Sequence, residues 1–126
     1  NKVVNYMGGM AQGELPSFYQ SLDVFVFPTI RKEESLGLVG LEAMACGIPS
    51  ICSDIGGIKT YIEDGVNGYL FTPGSHEELA DSLLNYSGLD LSEFLHMSDH
   101  AIKTAKKYDR KVVISDLRKK LAGLLK

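Results

Sequence analysis

The sequence predicts an α/β domain built on a parallel sheet with helical layers, and three observations carry that prediction. Short apolar runs alternate with amphipathic segments along the whole chain. The run Val24-Phe25-Val26-Phe27 contains no polar residue, which asks for cover on both faces and hence a central parallel strand. From Leu36 to Cys46 every residue except Gly37, Gly40 and Glu42 is apolar. A helix there would be apolar nearly all round and therefore buried.

Taken in order, Lys2 to Met7 is a β-prone run that ends at Gly8-Gly9, a strand followed by a turn. Residues 14–22 carry Leu15, Phe18, Tyr19 and Leu22 at helical spacing, with Pro16 tolerable in the first turn. Asp23 leads into the apolar strand, and Pro28 closes it. The buried helix follows and stops at Gly47. Pro49 to Ser53 reads as a short buried strand, Asp54 to Gly57 as a turn, and Ile58 to Glu63 as one or two helical turns. Asn67-Gly68 turns into a last strand, Tyr69-Leu70-Phe71, halted by Pro73-Gly74. Ser75 with Glu78 forms a capping box that opens a helix to about Tyr86. Residues 91–107 place Leu91, Phe94, Leu95, Ala101, Ile102 and Ala105 on one face, and a final helix aligns Val113, Leu117, Leu121 and Leu124. This helix pair reads as cover for one sheet face. Ligands of open parallel sheets sit beyond the carboxyl ends of the strands. Gly8-Gly9, Pro28 to Glu34 and Asp54 to Gly57 therefore share one rim.

At 126 residues the chain is a single domain's worth, 44% hydrophobic and 23% charged, as in globular proteins. No run approaches a membrane span and no secretory leader is visible. Cys46 and Cys52 read as free, buried thiols of a reducing compartment. Residues 1–100 hold 4 Lys/Arg against 14 Asp/Glu, whereas residues 101–126 hold 9 against 2. The basic end reads as the solvated faces of two helices, with contact to an anionic membrane surface or nucleic acid as the alternative. His96 and His100 lie four apart on a predicted helix, but no third ligand accompanies them, so they read as surface histidines. No metal site is expected. Neither a Gly-x-Gly-x-x-Gly nor a Walker sequence is present.

The chemistry concentrates around the buried helix. A carboxylate such as Glu42 in that setting costs several kcal/mol unless it is paired or hydrogen-bonded. Glu34 lies eight residues earlier, about 12 Å along the axis at helical rise. Between the two, residues Ser35 to Val39 would form a first turn whose amides have no intrahelical acceptor, a start that favours phosphate. The order is acid, phosphate-ready amides, acid. It suits an elongated ligand with a hydroxylated group at each end and phosphates between.

Glu34 and Glu42 make an E-x7-E motif, and E-S-L-G-L-V-G-L-E-A-M-A-C-G-I-P-S resembles the signature of the retaining glycosyltransferase family 4, the group 1 glycosyltransferases. The flanking blocks G-G-M-A-Q-G-E-L-P-S-F-Y-Q-S-L-D-V-F-V-F-P-T and S-D-I-G-G-I-K-T-Y-I-E-D-G-V-N-G-Y-L-F-T-P-G-S are similar to the same family. The resemblance implies a Rossmann-like parallel sheet flanked by helices, the later portion of the C-terminal, donor-binding domain of a GT-B fold. It implies that the acceptor domain, the first donor-domain strands and their basic diphosphate clamp lie outside these residues. Asn1 in place of Met agrees with a longer parent chain.

The implied activity is transfer of a sugar from a nucleotide-diphosphate sugar to a hydroxyl acceptor, a glycan, polysaccharide or lipid-linked group. A non-catalytic nucleotide-binding or assembly module of the same fold is the alternative. Through the resemblance Glu34 would bond donor-sugar hydroxyls as the catalytic and donor-binding acid. Glu42 would take the ribose hydroxyls. Ser35 and the amides of Gly37, Leu38 and Val39 would hold the diphosphate, and Met10 and Gln12 would border the nucleobase. Cofactor and metal are expected to be absent, as is nucleic acid. The location is expected to be cytoplasmic, with possible peripheral contact at the membrane face. Three departures stand out: Leu36 where an aromatic is usual, Thr60 for a common Glu, and Tyr108-Asp109-Arg110 for an aromatic-Ser-Trp run.

Overall fold

The computed structural model describes residues 3–124. A 3-10 turn, Gln12–Glu14, leads into α1 (Leu15–Gln20), followed by β1 (Phe25–Phe27), α2 (Leu38–Ala45) and β2 (Ser50–Ser53). A second 3-10 turn, Gly56–Thr60, precedes β3 (Gly68–Phe71), and α3 (His76–Ser87), α4 (Leu91–Lys106) and α5 (Arg110–Leu124) complete the chain. The three strands are parallel in the order β1-β2-β3, with Val26 opposite Ile51 and Ile51 opposite Tyr69. The predicted fold class holds.

Strand order corrects two expectations. Among the described strands the continuously apolar run, β1, is outermost, each residue half-buried, and the fully buried centre is β2. Of the predicted first strand, Lys2 lies outside the described residues, and Val3 to Met7 form no strand; Val4 and Tyr6 are 80% and 95% exposed. β-propensity alone does not make a strand, because it reflects fit to a pleated, half-buried surface.

Alternation along β1 to β3 sends Phe25, Phe27, Ser50, Cys52 and Leu70 to the face under α2. There Leu41, Met44, Cys52, Ile58, Tyr61, Ile62, Ala101 and Ala105 form the main core cluster, and α4 packs directly on α2. A second cluster, Tyr19, Ala43 and Ile48, joins α1 to the other flank of α2. The helix is thus wrapped on three sides, but Leu38 and Ala45 stay exposed and Glu42 is half-buried. Full burial was the expectation; an open stripe at i, i+4 and i+7 is the finding.

The later helices also differ in detail. The capping box is half-formed at α3: Ser75 accepts from the Glu78 amide at 3.2 Å, while the Glu78 carboxylate reaches the Thr72 amide at 2.6 Å. A complete box sits instead at α4, where Asp90 and Glu93 accept from each other's amides at 2.8 and 2.9 Å. On α4 the buried positions are Met97, Ala101 and Ala105, whereas Leu91 and Leu95 face solvent. Of the predicted pair, α4 packs on α2, whereas α5 buries no residue, and Val113, Leu117 and Leu121 are about half exposed; α3 is the helix that packs on β3 and β2. The predicted helix at 58–63 is the shorter, earlier 3-10 turn.

The tightest backbone contact joins two loops. The Gly57 amide donates to the Ser35 carbonyl, and any Cβ at Gly56 or Gly57 would overlap the backbone of Glu34 or Ser35. Gly56 also has φ +58°, which disfavours other residues. Gly57→Ala should therefore destabilise the protein by about 1–3 kcal/mol, the range for forcing atoms into a packed site. Gly13→Ala, with open space around it, should stay within about 0.5 kcal/mol. Denaturant melts of the two variants decide it, and equal losses would sink the loop-contact account.

Candidate functional site

α2 starts later than the sequence suggests. Its first residue is Leu38, and Gly37 is the N-cap with φ 67° and ψ 56°, a left-handed conformation natural to glycine. Ser35 lies ahead of the helix, its carbonyl taken by Gly57, and Leu36 is half-buried against the core cluster. The first-turn amides are those of Leu38 and Val39, with no side-chain cap and no acid in the turn. The start of α2 is therefore electropositive, with Leu38 exposed beside the buried Gly37. Glu34 is half-buried in the loop just before it, its amide donating to the Arg31 carbonyl at 3.1 Å. Arg31 and Lys32 are exposed.

One turn into α2, Glu42 finds its partner. The Tyr19 hydroxyl donates to Glu42 Oε2 at 2.9 Å. Burial and the adjacent carboxylate push the Tyr19 pKa well above its ordinary value, so the hydroxyl remains a donor across the working pH range. No cation of α1 is involved; the helix holds none. A single neutral donor leaves Glu42 with further acceptor capacity, since an ionised carboxylate has about four lone-pair sites.

Glu42 and Ala45 lie between two cavities. One, of about 210 Å³, is lined by Gln12, Leu15, Pro16, Tyr19, Glu42, Ala45 and Cys46. The other, of about 320 Å³, runs from Leu38 and Leu41 past Glu42 and Ala45 to Ile102 and Tyr108. The exposed stripe of α2 is thus common to both, with Glu42 and Ala45 lining each, Gln12 on one side and Leu38 on the other. Met10, half-buried in the preceding coil, is not among the lining residues. Val39 is half-buried on the adjoining face.

Three residues take a place at the site that the sequence does not give them. Tyr19 was assigned to the core by its helical spacing, and only the structure shows its hydroxyl on Glu42. Cys46 was expected to be buried but is half-buried beside Glu42; burial, then the Glu42 charge, raise its pKa. Cys52 is buried as expected, its thiol pushed up to about 12 by burial. The third is Gly57, whose close approach fixes the Ser35 loop. His96 and His100 face each other, Nε2 to Nε2, at 3.1 Å. No group of three or more His, Cys, Asp or Glu among the described residues is arranged to hold a metal ion. No described helix is long and apolar enough to cross a membrane.

Comparisons with known proteins bear on this arrangement. The sequence profile of the family described as glycosyl transferases group 1 matches residues 1–108. A D-inositol 3-phosphate glycosyltransferase of Paenarthrobacter aurescens is 40% identical over 81 residues, 64% of this chain and 19% of that protein. A sulfoquinovosyl transferase of Arabidopsis thaliana is 41% identical over 81 residues, 62% of this chain and 16% of that protein. The chain therefore spans about a fifth of the length of these curated relatives. Among solved structures, Anabaena HepE in complex with UDP-glucose superposes with a TM-score of 0.80 at 28% identity, over 95% of this chain and 32% of that one. The sheet and its helices match the architecture of GT-B glycosyltransferases.

The tyrosine contact yields a measurable consequence. Tyr19→Phe removes the donor and leaves a half-buried carboxylate short of a partner, at a cost of about 1–2 kcal/mol. Glu42→Gln should cost less, because its amide oxygen still accepts from Tyr19. If thermal melts rank the two in the opposite order, Glu42 owes its placement to something other than Tyr19.

Proposed function

The chain belongs to the group 1 glycosyltransferases, and from that premise we propose that it is the donor-binding part of a retaining enzyme. In this reading it moves a sugar from a nucleotide-diphosphate sugar to a hydroxyl acceptor, a glycan or a lipid-linked group. The observation that carries the reading is the surface from Gln12 past Tyr19-held Glu42 to the start of α2. Its chemistry changes along its length in the order such a donor requires. The HepE complex with UDP-glucose supports the ligand class.

Each residue then has a role with a physical reason. Glu42 accepts from the ribose hydroxyls with the lone pairs that Tyr19 leaves unused. Gln12, with Met10 near it, borders the base. The amides of Gly37, Leu38 and Val39, with the Ser35 hydroxyl, meet the diphosphate as charge accumulates on it in the transition state, the kind of preorganised stabilisation that contributes most when water is excluded. Glu34 accepts from sugar hydroxyls and acts at the reacting end. The reading calls on these protein donors and no metal ion or cofactor. The basic end, α5, is left for contact with a lipid-linked acceptor's surroundings at the cytoplasmic face of a membrane.

The two acids are separable. Glu42→Ala should weaken UDP binding about tenfold, the loss of charge-assisted hydrogen bonds. Glu34→Ala should leave UDP nearly untouched and remove the extra affinity that the sugar of UDP-glucose adds. Calorimetric titration of both ligands into both variants tests this, and an equal loss of UDP affinity in the two would overturn the assignment.

The 126 residues alone should not sustain transfer. Catalysis needs an acceptor hydroxyl held against the anomeric carbon with water excluded, and the α2 stripe is open along its outer side. Turnover with several donors and simple acceptors should equal that of a Glu34→Ala, Glu42→Ala double variant. Sustained turnover above that control would refute this division of labour and require a second wall from a partner chain.

A further inference from the structure

Tyr61 is 4% exposed and sits in the main core cluster, its ring edge-on to Tyr108 at 6.1 Å. Its hydroxyl donates to the Gly37 carbonyl at 2.7 Å. The same carbonyl accepts from the Gly40 amide at 3.0 Å. The hydroxyl is wedged between two glycines: a Cβ added at Gly40 would lie 2.7 Å from it, and one at Gly37 3.2 Å.

Gly37 is the most freely rotating residue at the helix start, and nothing in its own side chain can fix it. The Gly37 carbonyl and the Leu38 amide belong to one planar peptide unit and point in opposite directions. Whatever fixes the carbonyl therefore fixes the direction of the Leu38 N–H, which has no intrahelical acceptor.

We propose that Tyr61 is a positioning residue for an anion of the diphosphate class: its bond to the Gly37 carbonyl orients the Gly37–Leu38 peptide so that the Leu38 amide faces the ligand. The proposal rests on reading the α2 start as the diphosphate site. Tyr61 does not touch the ligand; it acts through Gly37. Because Gly40 has no side chain, the hydroxyl can enter the turn from the core side. The device uses a neutral donor deep in the core, so it adds no charge that could compete for the phosphate.

The test compares Tyr61→Phe with Tyr86→Phe, which removes an equivalent tyrosine-to-carbonyl bond, to Asp23 at 2.6 Å, at the far end of β1. UDP and uridine are titrated into each protein and followed by amide chemical shifts. Tyr61→Phe should weaken UDP about fivefold, the size of one lost hydrogen bond, and leave uridine within about twofold. Tyr86→Phe should change neither. In the wild-type protein the Leu38 amide resonance should move on adding UDP and stay still on adding uridine, a readout that needs no variant to fold. Unchanged UDP affinity in Tyr61→Phe, an equal loss for uridine, or a silent Leu38 amide in a wild-type protein that binds UDP would each overturn the assignment alone. A wild-type protein with no response to UDP would overturn the donor-site reading and this assignment with it.

Discussion

The backbone of Gly56–Gly57 lies directly on the backbone of Glu34–Leu36, and the rest of the site depends on that contact. The Ser35 carbonyl accepts from Gly57, so the loop that carries Glu34 is tied to the end of the central strand β2. Fixing that loop fixes where α2 begins, because Leu36 is then drawn against the core and Gly37 must turn the chain in the left-handed region. From the start of α2 the helical repeat does the remainder: Leu38, Glu42 and Ala45 fall on one stripe. A contact between two loops, possible only with glycine on one side, thereby places one carboxylate before the helix and another one turn inside it.

Buried tyrosines supply the polar support of this region. Tyr19 bonds Glu42 and Tyr61 bonds Gly37, and in each case burial is the largest cause holding the phenol protonated. A neutral hydroxyl avoids the several kcal/mol of desolvation that a buried cation would carry. It also adds no charge at the helix start. A lysine or arginine in either place would satisfy the same acceptors while blocking the polarity that the surface presents to a ligand.

The sequence made the fold class and the helix that carries Glu42 legible, because each rests on local spacing or on a family likeness carried by contiguous blocks. What it concealed depends on tertiary neighbours. An unbroken apolar strand signals two-sided contact, but Val24 to Phe27 cannot say how many strands lie beyond it, and β1 is outermost among the described strands. Residues 4–7 have strand propensity and form no strand. Leu91 and Leu95 match the apolar stripe of α4 as well as Met97 does, yet only Met97 meets the core. The two tyrosines were readable as core and not as donors, since the aromatic body sets the helical pattern and the hydroxyl at its tip does not enter it.

The charge balance explains why recognition here must be a matter of contact geometry. Residues 1–100 hold 14 acidic against 4 basic residues and residues 101–126 hold 2 against 9, a net charge of −3, so the chain as a whole repels an anion only weakly at long range. Beyond about 10 Å that repulsion is screened at 0.1 M salt, whereas a helix start acts within its first turn. A ligand with phosphates is therefore favoured only where the amides meet it. Displaced along α2 by one turn, its phosphates would face Glu42, and displaced the other way they would face Glu34. Acids flanking a donor-rich centre thus reject the wrong registers by repulsion as strongly as they accept the right one by hydrogen bonds. Under the proposed reading, the acids that bind the two hydroxylated ends also set the ligand's position.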